Sequence, residues 1–423
     1  MTSLAQQFGE RAGYTPNELP VDLARQLILD AITPICGIER IPLRDALGRI
    51  LAQPVVSPID VPAYDNSAMD GYAVRHADLA TDRDTPLRIV GTAFAGRPAT
   101  ATVGPGEAVR IMTGAPVPAG ADTIVMQEAV RATPDQVSVP PGQRAGQNLR
   151  HAGEDLRAGL PALAAGRLIR PAELGLVASL GIGELAVRRR LRVAFFSTGD
   201  EIVSIGQPTA PGQIYDSNRY TLFGMLQRLG FDVIDIGVVR DDPDTLETTV
   251  REAAGIADAI LTSGGVSVGE ADFTRDVMAR LGDVLFWKLA MKPGRPFAFG
   301  RIGGHDGTWL FGLPGNPVAT MIAFYQFARP ALLRLAGVDP VAPPPLLDAR
   351  SSGAIRKAPG RTEFLRGVLF EADGHWQVRS TGAQGSGILS SMADANCLIV
   401  LGPERGSVQP GDSVPVQILD GLV

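Results

Sequence analysis

Lysine is rare in this chain, and its placement is the first chemical signal. Of 39 basic residues in a sequence of 423, only Lys288, Lys292 and Lys357 are lysine; the rest are arginine. Two of the three stand four residues apart in Phe286-Trp287-Lys288-Leu289-Ala290-Met291-Lys292-Pro293-Gly294-Arg295-Pro296, between an apolar run and a Pro-Gly turn. Lysine is a compact point charge with three donors, whereas arginine is a rigid planar fork. A chain that writes arginine for generic surface cations and keeps lysine here needs the point charge, which commonly serves an oxyanion such as phosphate.

The acids gather at the ends of other apolar runs. The run 192–196 leads into Thr198, Asp200 and Glu201, and 233–239 leads into Arg240, Asp241 and Asp242. The run 259–262 leads into Ser263-Gly264-Gly265 and then to Glu270 and Asp272, and Phe311 leads into Pro314-Gly315-Asn316-Pro317. Asp242 precedes Pro243 and reads first as a helix N-cap. Ser263-Gly264-Gly265 lacks a Gly-Lys-Ser/Thr ending, so it is not a Walker A loop; it is either a tight turn or a cradle of backbone amides for an anion. Glu201, Asp241 and Asp272 in one place repel one another unless a hard cation such as Mg2+ joins them to phosphate oxygens. At about 4 Å and an effective dielectric near 20, each Lys–anion contact contributes about 4 kcal/mol before desolvation. The chemistry expected is therefore metal-assisted reaction at phosphate, or transfer onto an anionic ligand.

The elements that hold these residues follow from periodicity. Repeated strand–helix alternation from 186 to 337, with near-continuous apolar strands, predicts a doubly wound, mostly parallel α/β domain whose ligand site lies outside the strands' carboxyl ends. Helical spacing over 21–32, a shorter helix over 43–51 and an amphipathic helix over 171–180 place residues 15–57 and 148–185 in a helical or linker unit. Between them, 58–147 breaks into short β-type runs and reads as an inserted β domain. Pro-rich 340–345 is a linker, and 338–423 reads as a C-terminal β domain. Length alone predicts two to four domains.

Composition narrows the function. A net charge of −6 excludes bulk nucleic-acid binding. Cys36 and Cys397 lack zinc-site spacing, and four scattered histidines form no HExxH. No secretory leader or membrane-spanning run is evident, which predicts a soluble, cytoplasmic protein.

Two further stretches are unusual for loops: 62–72 with Met112-Thr113-Gly114-Ala115-Pro116, and Arg361-Thr362-Glu363-Phe364-Leu365-Arg366 with 380–387. Arg366 alternates with Phe364 and Val368, which leaves it on a solvated strand face or at an anion site. Taken together, Asp65-Asn66-Ser67-Ala68-Met69-Asp70-Gly71-Tyr72, Ser197-Thr198-Gly199-Asp200-Glu201, Ser263-Gly264-Gly265-Val266-Ser267-Val268-Gly269 with Asp272, Lys292-Pro293-Gly294 and Gly312-Leu313-Pro314-Gly315-Asn316-Pro317 resemble the molybdopterin molybdenumtransferases, the MoeA proteins and the gephyrin E domain. The motifs occur in family order and cover about residues 20–420.

The resemblance implies an elongated helical domain, an inserted β domain, a molybdopterin-binding α/β domain and a C-terminal β barrel. It also implies a homodimer with active sites shared between subunits. The implied reaction takes molybdate and adenylylated molybdopterin, the latter from an upstream molybdopterin adenylyltransferase, cleaves the pyrophosphate with a divalent metal, and releases AMP and molybdenum cofactor. By motif, Asp70, Thr113, Glu201, Asp241, Lys288 and Lys292 would be catalytic, with Glu201, Asp241 and Asp272 on the metal. Asp155, Ser263, Gly264, Gly265, Arg295, Pro314, Gly315 and Asn316 would contact substrate, and Arg366 and Ser386 would hold molybdate. Arg295 departs from the pattern, since many relatives carry a second lysine there. Two rival readings are a molybdopterin adenylyltransferase, which leaves the flanking β domains without a task, and a gephyrin-like scaffold, for which no coiled coil, basic tail or fused domain speaks.

Overall fold

The computed structural model describes residues 3–11, 13–97, 99–265, 273–304 and 306–419. Its centre is a seven-stranded sheet in the order Asn17–Leu19, Gly282–Leu289, Pro296–Ile302, Thr308–Leu313, Ala259–Ser263, Arg192–Thr198, Asp232–Val239. The last four strands run parallel. Strand Arg192–Thr198 shows why they read as continuous apolar runs. Val193 and Phe195 enter one buried core, while Ala194 and Phe196 enter another on the opposite face. Helices cover both faces: Val21–Ala31, Ser217–Arg228 and the helix starting at Pro317 on the first, Pro243–Ile256 and Phe273–Leu281 on the second.

The sheet is mostly parallel, as expected, with antiparallel pairing confined to one side. Gly282–Leu289, Pro296–Ile302 and Thr308–Leu313 form antiparallel pairs. The intervening connections, a Pro-Gly loop and the turn through Gly303 and Gly304 at φ 84° and 88°, are too short for the crossover that parallel pairing demands. Aromatic rings fill the core behind these hairpins: Phe299 stacks on Trp309 at 5.0 Å and lies 5.9 Å from Trp287. The helix from Pro317 continues through a π-helical turn, Phe324–Ala328, to Leu335.

Helix Val21–Ala31, expected in a helical unit, packs instead on this α/β core. Leu27 and Ile28 are buried in it, and Arg25 donates to Gln326 Oε1 at 2.8 Å and to the Gln326 carbonyl at 3.2 Å. The expected helix over 43–51 is a single 3-10 turn, Leu43–Ala46. Gly48 at φ 73° ends it, and Ile50 and Leu51 then bridge to Leu168 and Val187. The flanking segments form antiparallel ribbons: Ile38–Pro42 with Glu184–Arg188, Val55–Val56 with Pro161–Leu163, and Asn66–Ser67 with Leu149–Arg150. The outgoing and returning chains thus run side by side, and beyond them sits a six-stranded sheet built from residues 71–139. Helix Pro171–Ser179 is anchored by Glu173, whose side chain is 2% exposed and is held by Arg167 at 2.7 Å and Arg170 at 3.0 Å.

The C-terminal segment closes a five-stranded barrel. Thr362–Ala372, His375–Ser380, Leu346–Ser351, Ser413–Ile418 and Cys397–Leu401 pair in sequence, and the last returns to the first. One short strand, Met291–Lys292, joins this barrel from the α/β domain, in parallel register with Thr362 and Glu363.

The Glu173 clamp gives a pH-dependent prediction. Its carboxyl is lowered from 4.5 to about 2, chiefly by the hydrogen bond from Arg170, against the cost of burial. A depressed folded-state pKa stabilises above the unfolded value and stops doing so as pH falls through the folded one. Glu173→Gln is therefore expected to lower the unfolding temperature at neutral pH, and the gap from wild type should shrink between pH 4.5 and about 2 in a calorimetric series.

Candidate active site

The carboxyl ends of the four parallel strands open into a cleft of about 850 Å³. Each strand end contributes: Thr198, Gly199 and Glu201 from the first, Asp241 from its edge neighbour, Gly264 and Gly265 from the third, and Pro314, Gly315 and Asn316 from the fourth. The hairpin loop adds Lys292 and Arg295, and the barrel closes the opposite wall with Arg361, Gln384 and Ser386. That volume suits a ligand of cofactor size.

Glycine is required at the floor. At Gly264, φ is 96° and an added Cβ would lie 2.4 Å from the Thr198 carbonyl oxygen. The strand ends therefore approach more closely than any side chain permits. Ser263 is buried beneath this turn and accepts a 2.6 Å hydrogen bond from Asn218 Nδ2, which also donates to the Gly315 carbonyl at 2.7 Å. Asn218 thereby ties two strand-end loops to the first turn of helix Ser217–Arg228.

The acids form one electrostatic group. Thr198 Oγ1 donates to Asp241 Oδ1 at 3.3 Å. Burial raises the Asp241 carboxyl, as do the charges of Asp200 and Glu201, while the Thr198 hydrogen bond opposes the shift. Glu201 folds back over Gly199, where a Cβ would lie 2.6 Å from its Oε2. Glu201 and Asp241, two cleft-lining carboxylates, are an all-oxygen donor set of the kind a hard divalent cation takes. Among the described residues no group of three or more His, Cys, Asp or Glu is arranged to hold a metal, and Asp272 lies outside the described residues.

The cations divide. Lys292 lines the cleft, with its side chain 55% exposed and Nζ 3.5 Å from Glu363 Oε2 of the barrel. Arg295 also lines it and lies 3.1 Å from Glu18. Lys288 does not line the cleft. Its neighbours Trp287 and Leu289 are buried in the aromatic core, so strand alternation turns Lys288 to the other face. Arg366 is fully buried, which rules out the solvated strand face. It donates to Ser391 Oγ at 2.9 Å and to the Gly385 carbonyl at 2.9 Å, and so holds the loop that carries Ser386 into the cleft. Its Nη1 is buried without a hydrogen-bond partner. The Val318 amide donates to the Ser386 carbonyl at 3.0 Å, which fixes that loop to the start of the long helix.

Asp70, Thr113 and Asp155 lie apart from this cleft. Asp70 Oδ1 accepts from the Thr113 amide and hydroxyl, both at 2.7 Å, and these bonds lower its carboxyl, the backbone bond most. Asp155 is exposed on the connecting ribbons, its amide donating to Val61 at 3.0 Å. Asp216, Asn218, Arg361 and Gln384 also line the cleft, though none is marked as a cleft residue by its place in the sequence. Asp216 is 3% exposed; one oxygen caps the helix through Arg219 N at 3.0 Å, and Oδ2 is buried without a hydrogen-bond partner. An Asp directly before a helix start, as in Asp216-Ser217-Asn218, is the signal the sequence offers.

Comparisons with known proteins agree with this architecture. The MoeA N-terminal region (domains I and II) matches residues 19–181, a probable molybdopterin binding domain matches 194–334, and the MoeA C-terminal region (domain IV) matches 348–419. A molybdopterin molybdenumtransferase from Haemophilus influenzae is 42% identical over 407 residues, covering 96% of this chain and all of the relative. One from a Nostoc species is 36% identical, covering 89% of this chain and 88% of the relative. A crystal structure of a molybdopterin biosynthesis MoeA protein from Pyrococcus horikoshii superimposes with a TM-score of 0.77 at 29% identity, covering 95% of this chain and all of that one. With strand-end acids, a glycine floor and a barrel wall all within those matched regions, the chain belongs to the MoeA family of molybdopterin molybdenumtransferases.

Proposed function

We propose that the cleft is where this transferase brings adenylylated molybdopterin and molybdate together, cleaves the pyrophosphate, and releases AMP and molybdenum cofactor. One observation carries the reading. Cations from two domains, Lys292 and Arg295 on the hairpin loop and Arg361 on the barrel, line the same cleft as the carboxylates Glu201 and Asp241. That polarity suits a doubly phosphorylated guest gripped by cations on one side, with acids on the other.

Roles for the residues follow from their positions. Lys292, Arg295 and Arg361 bind and orient the phosphates, which concentrates reactants in near-attack geometry. Gly264 and Gly265 let the backbone approach the ligand where no side chain intervenes; the Gly264 amide donates to the Leu313 carbonyl at 3.2 Å, which leaves the Gly265 amide for the ligand. Ser386 contacts molybdate, and Arg366 positions the Ser386 loop from beneath. Glu201 and Asp241 would hold a divalent cation such as Mg2+, which supplies charge neutralisation at phosphate oxygens when bound. Asp70 and Thr113 form a preorganised pair on the inserted sheet; in a homodimer they, with Asp155, would complete a site shared between subunits. A cytoplasmic enzyme of this kind draws its substrate from a molybdopterin adenylyltransferase. Among the described residues, no helix is long and apolar enough to cross a membrane.

Incubation with adenylylated molybdopterin, Mg2+ and molybdate is expected to release AMP only when all three are present. Turnover of ATP on free molybdopterin instead would contradict the assignment. Lys292→Arg keeps the charge but not the compact ammonium, so AMP release should fall by at least about tenfold with the unfolding temperature unchanged; wild-type turnover would refute the lysine argument. Because Asp241 is raised by burial and by its acidic neighbours, it gains its proton at a higher pH than an ordinary aspartate. A proton on Asp241 competes with a cation there, so Mg2+ binding to the free protein should weaken on acidification sooner than an ordinary aspartate would allow, and Asp241→Asn should remove that pH dependence along with most activity.

A further inference from the structure

Glu363 is a buried carboxylate without an ordinary explanation. It is 7% exposed, and Oε2 has essentially no accessible surface and no hydrogen-bond partner. Its nearest cation is Lys292, with Nζ at 3.5 Å; Lys357 feels its charge at longer range. A carboxylate removed from water is unfavourable unless a cation answers it. The backbone makes the pairing obligatory: Lys292 and Glu363 are register partners in the parallel ladder, fixed by Thr362 N donating to the Ala290 carbonyl at 3.0 Å. Two residues before Glu363, Arg361 lines the cleft; three residues after it, Arg366 holds the Ser386 loop.

We infer that Glu363 is the positioning residue for Lys292, tethering its ammonium from behind so that its remaining donors face the phosphates. The inference rests on the reading that Lys292 binds phosphate. A free lysine stem has four carbons and loses its rotamer freedom when it closes on a ligand. A carboxylate that restrains the stem beforehand removes that cost from binding. The arrangement also accounts for lysine at this position in a chain otherwise written in arginine. An ammonium offers three donors around one point, which serves a carboxylate on one side and an oxyanion on the other.

Two physical roles for Glu363 predict opposite signs. As a mere negative charge near an anion site it weakens phosphate binding, so its neutralisation should tighten the ligand. As a tether it strengthens binding, so its neutralisation should loosen it. The experiment is calorimetric titration of the full-length protein with AMP, for wild type, Lys292→Met, Glu363→Gln and the double variant, with unfolding temperatures measured alongside. Glu363→Gln is isosteric, and leaves a lysine already open to water. The expected result is roughly tenfold weaker AMP binding in Glu363→Gln, with the double variant no weaker than Lys292→Met alone, because the effect passes through the lysine. Unchanged or tighter binding in Glu363→Gln overturns the inference, as do losses that multiply in the double variant. Wild-type AMP affinity in Lys292→Met overturns instead the reading of the cleft on which the inference stands. Should Glu363→Gln unfold, Glu363→Asp, which keeps the charge but shortens the reach, is expected to weaken AMP; wild-type affinity there overturns the tether.

Discussion

The structure depends on a two-residue strand. Met291 and Lys292 leave the central sheet and pair in register with Thr362 and Glu363 of the barrel. That contact decides where the barrel wall stands relative to the strand ends, and therefore whether Arg361 and Ser386 face Glu201 and Asp241 across a cleft. Two other contacts support the same docking. The Val318 amide meets the Ser386 carbonyl, and Gln326 in the π-helical turn donates to Gln417 of the barrel at 3.0 Å. A site split between two domains needs such registration, because a displacement of about 1 Å in a positioning group costs on the order of a hundredfold in rate.

The cleft also shows how one backbone rule and one charge rule combine. Parallel strands end at one edge, which collects their following loops. Glycine at 264 lets those loops converge, since any Cβ there would meet the Thr198 carbonyl. Convergence also buries Asp241, which, with a smaller push from Asp200 and Glu201, makes it hold its proton more tightly. The same geometry that builds a donor set for a cation makes that set unfavourable when nothing balances it. Cations on the facing wall supply part of the balance.

Much of this was legible in the sequence, for stated reasons. Alternating burial on both faces makes strands such as Arg192–Thr198 read as uninterrupted apolar runs, so the α/β domain and its ligand-bearing edge stand out. Glu201, Asp241, Lys292, Pro314 and Asn316 follow from their positions after those runs. Lys288 illustrates where spacing misleads: a four-residue separation from Lys292 suggests one site, but Trp287 and Leu289 claim the core face and turn it away. Arg366 is ambiguous in the sequence because strand alternation cannot tell a solvated face from one covered by another domain: Leu365 faces the barrel core, whereas Phe364, on the face of Arg366, is buried in the α/β core. Asp216 does not stand out in the sequence because a helix-capping aspartate is ordinary, and only burial of its second oxygen makes it unusual. Helix Val21–Ala31 is plain from its period, but its packing on the α/β core is not, since its partner Gln326 lies some three hundred residues away. Asp272 lies outside the described residues.

The most direct test of the account is a crystal structure of the protein with adenylylated molybdopterin and a divalent cation. The account predicts the pyrophosphate between Lys292 and Arg361 on one side and a cation held by Glu201 and Asp241 on the other, within the cleft at the strand ends. A nucleotide bound elsewhere, with the Lys292 ammonium directed away from its phosphates, would contradict it.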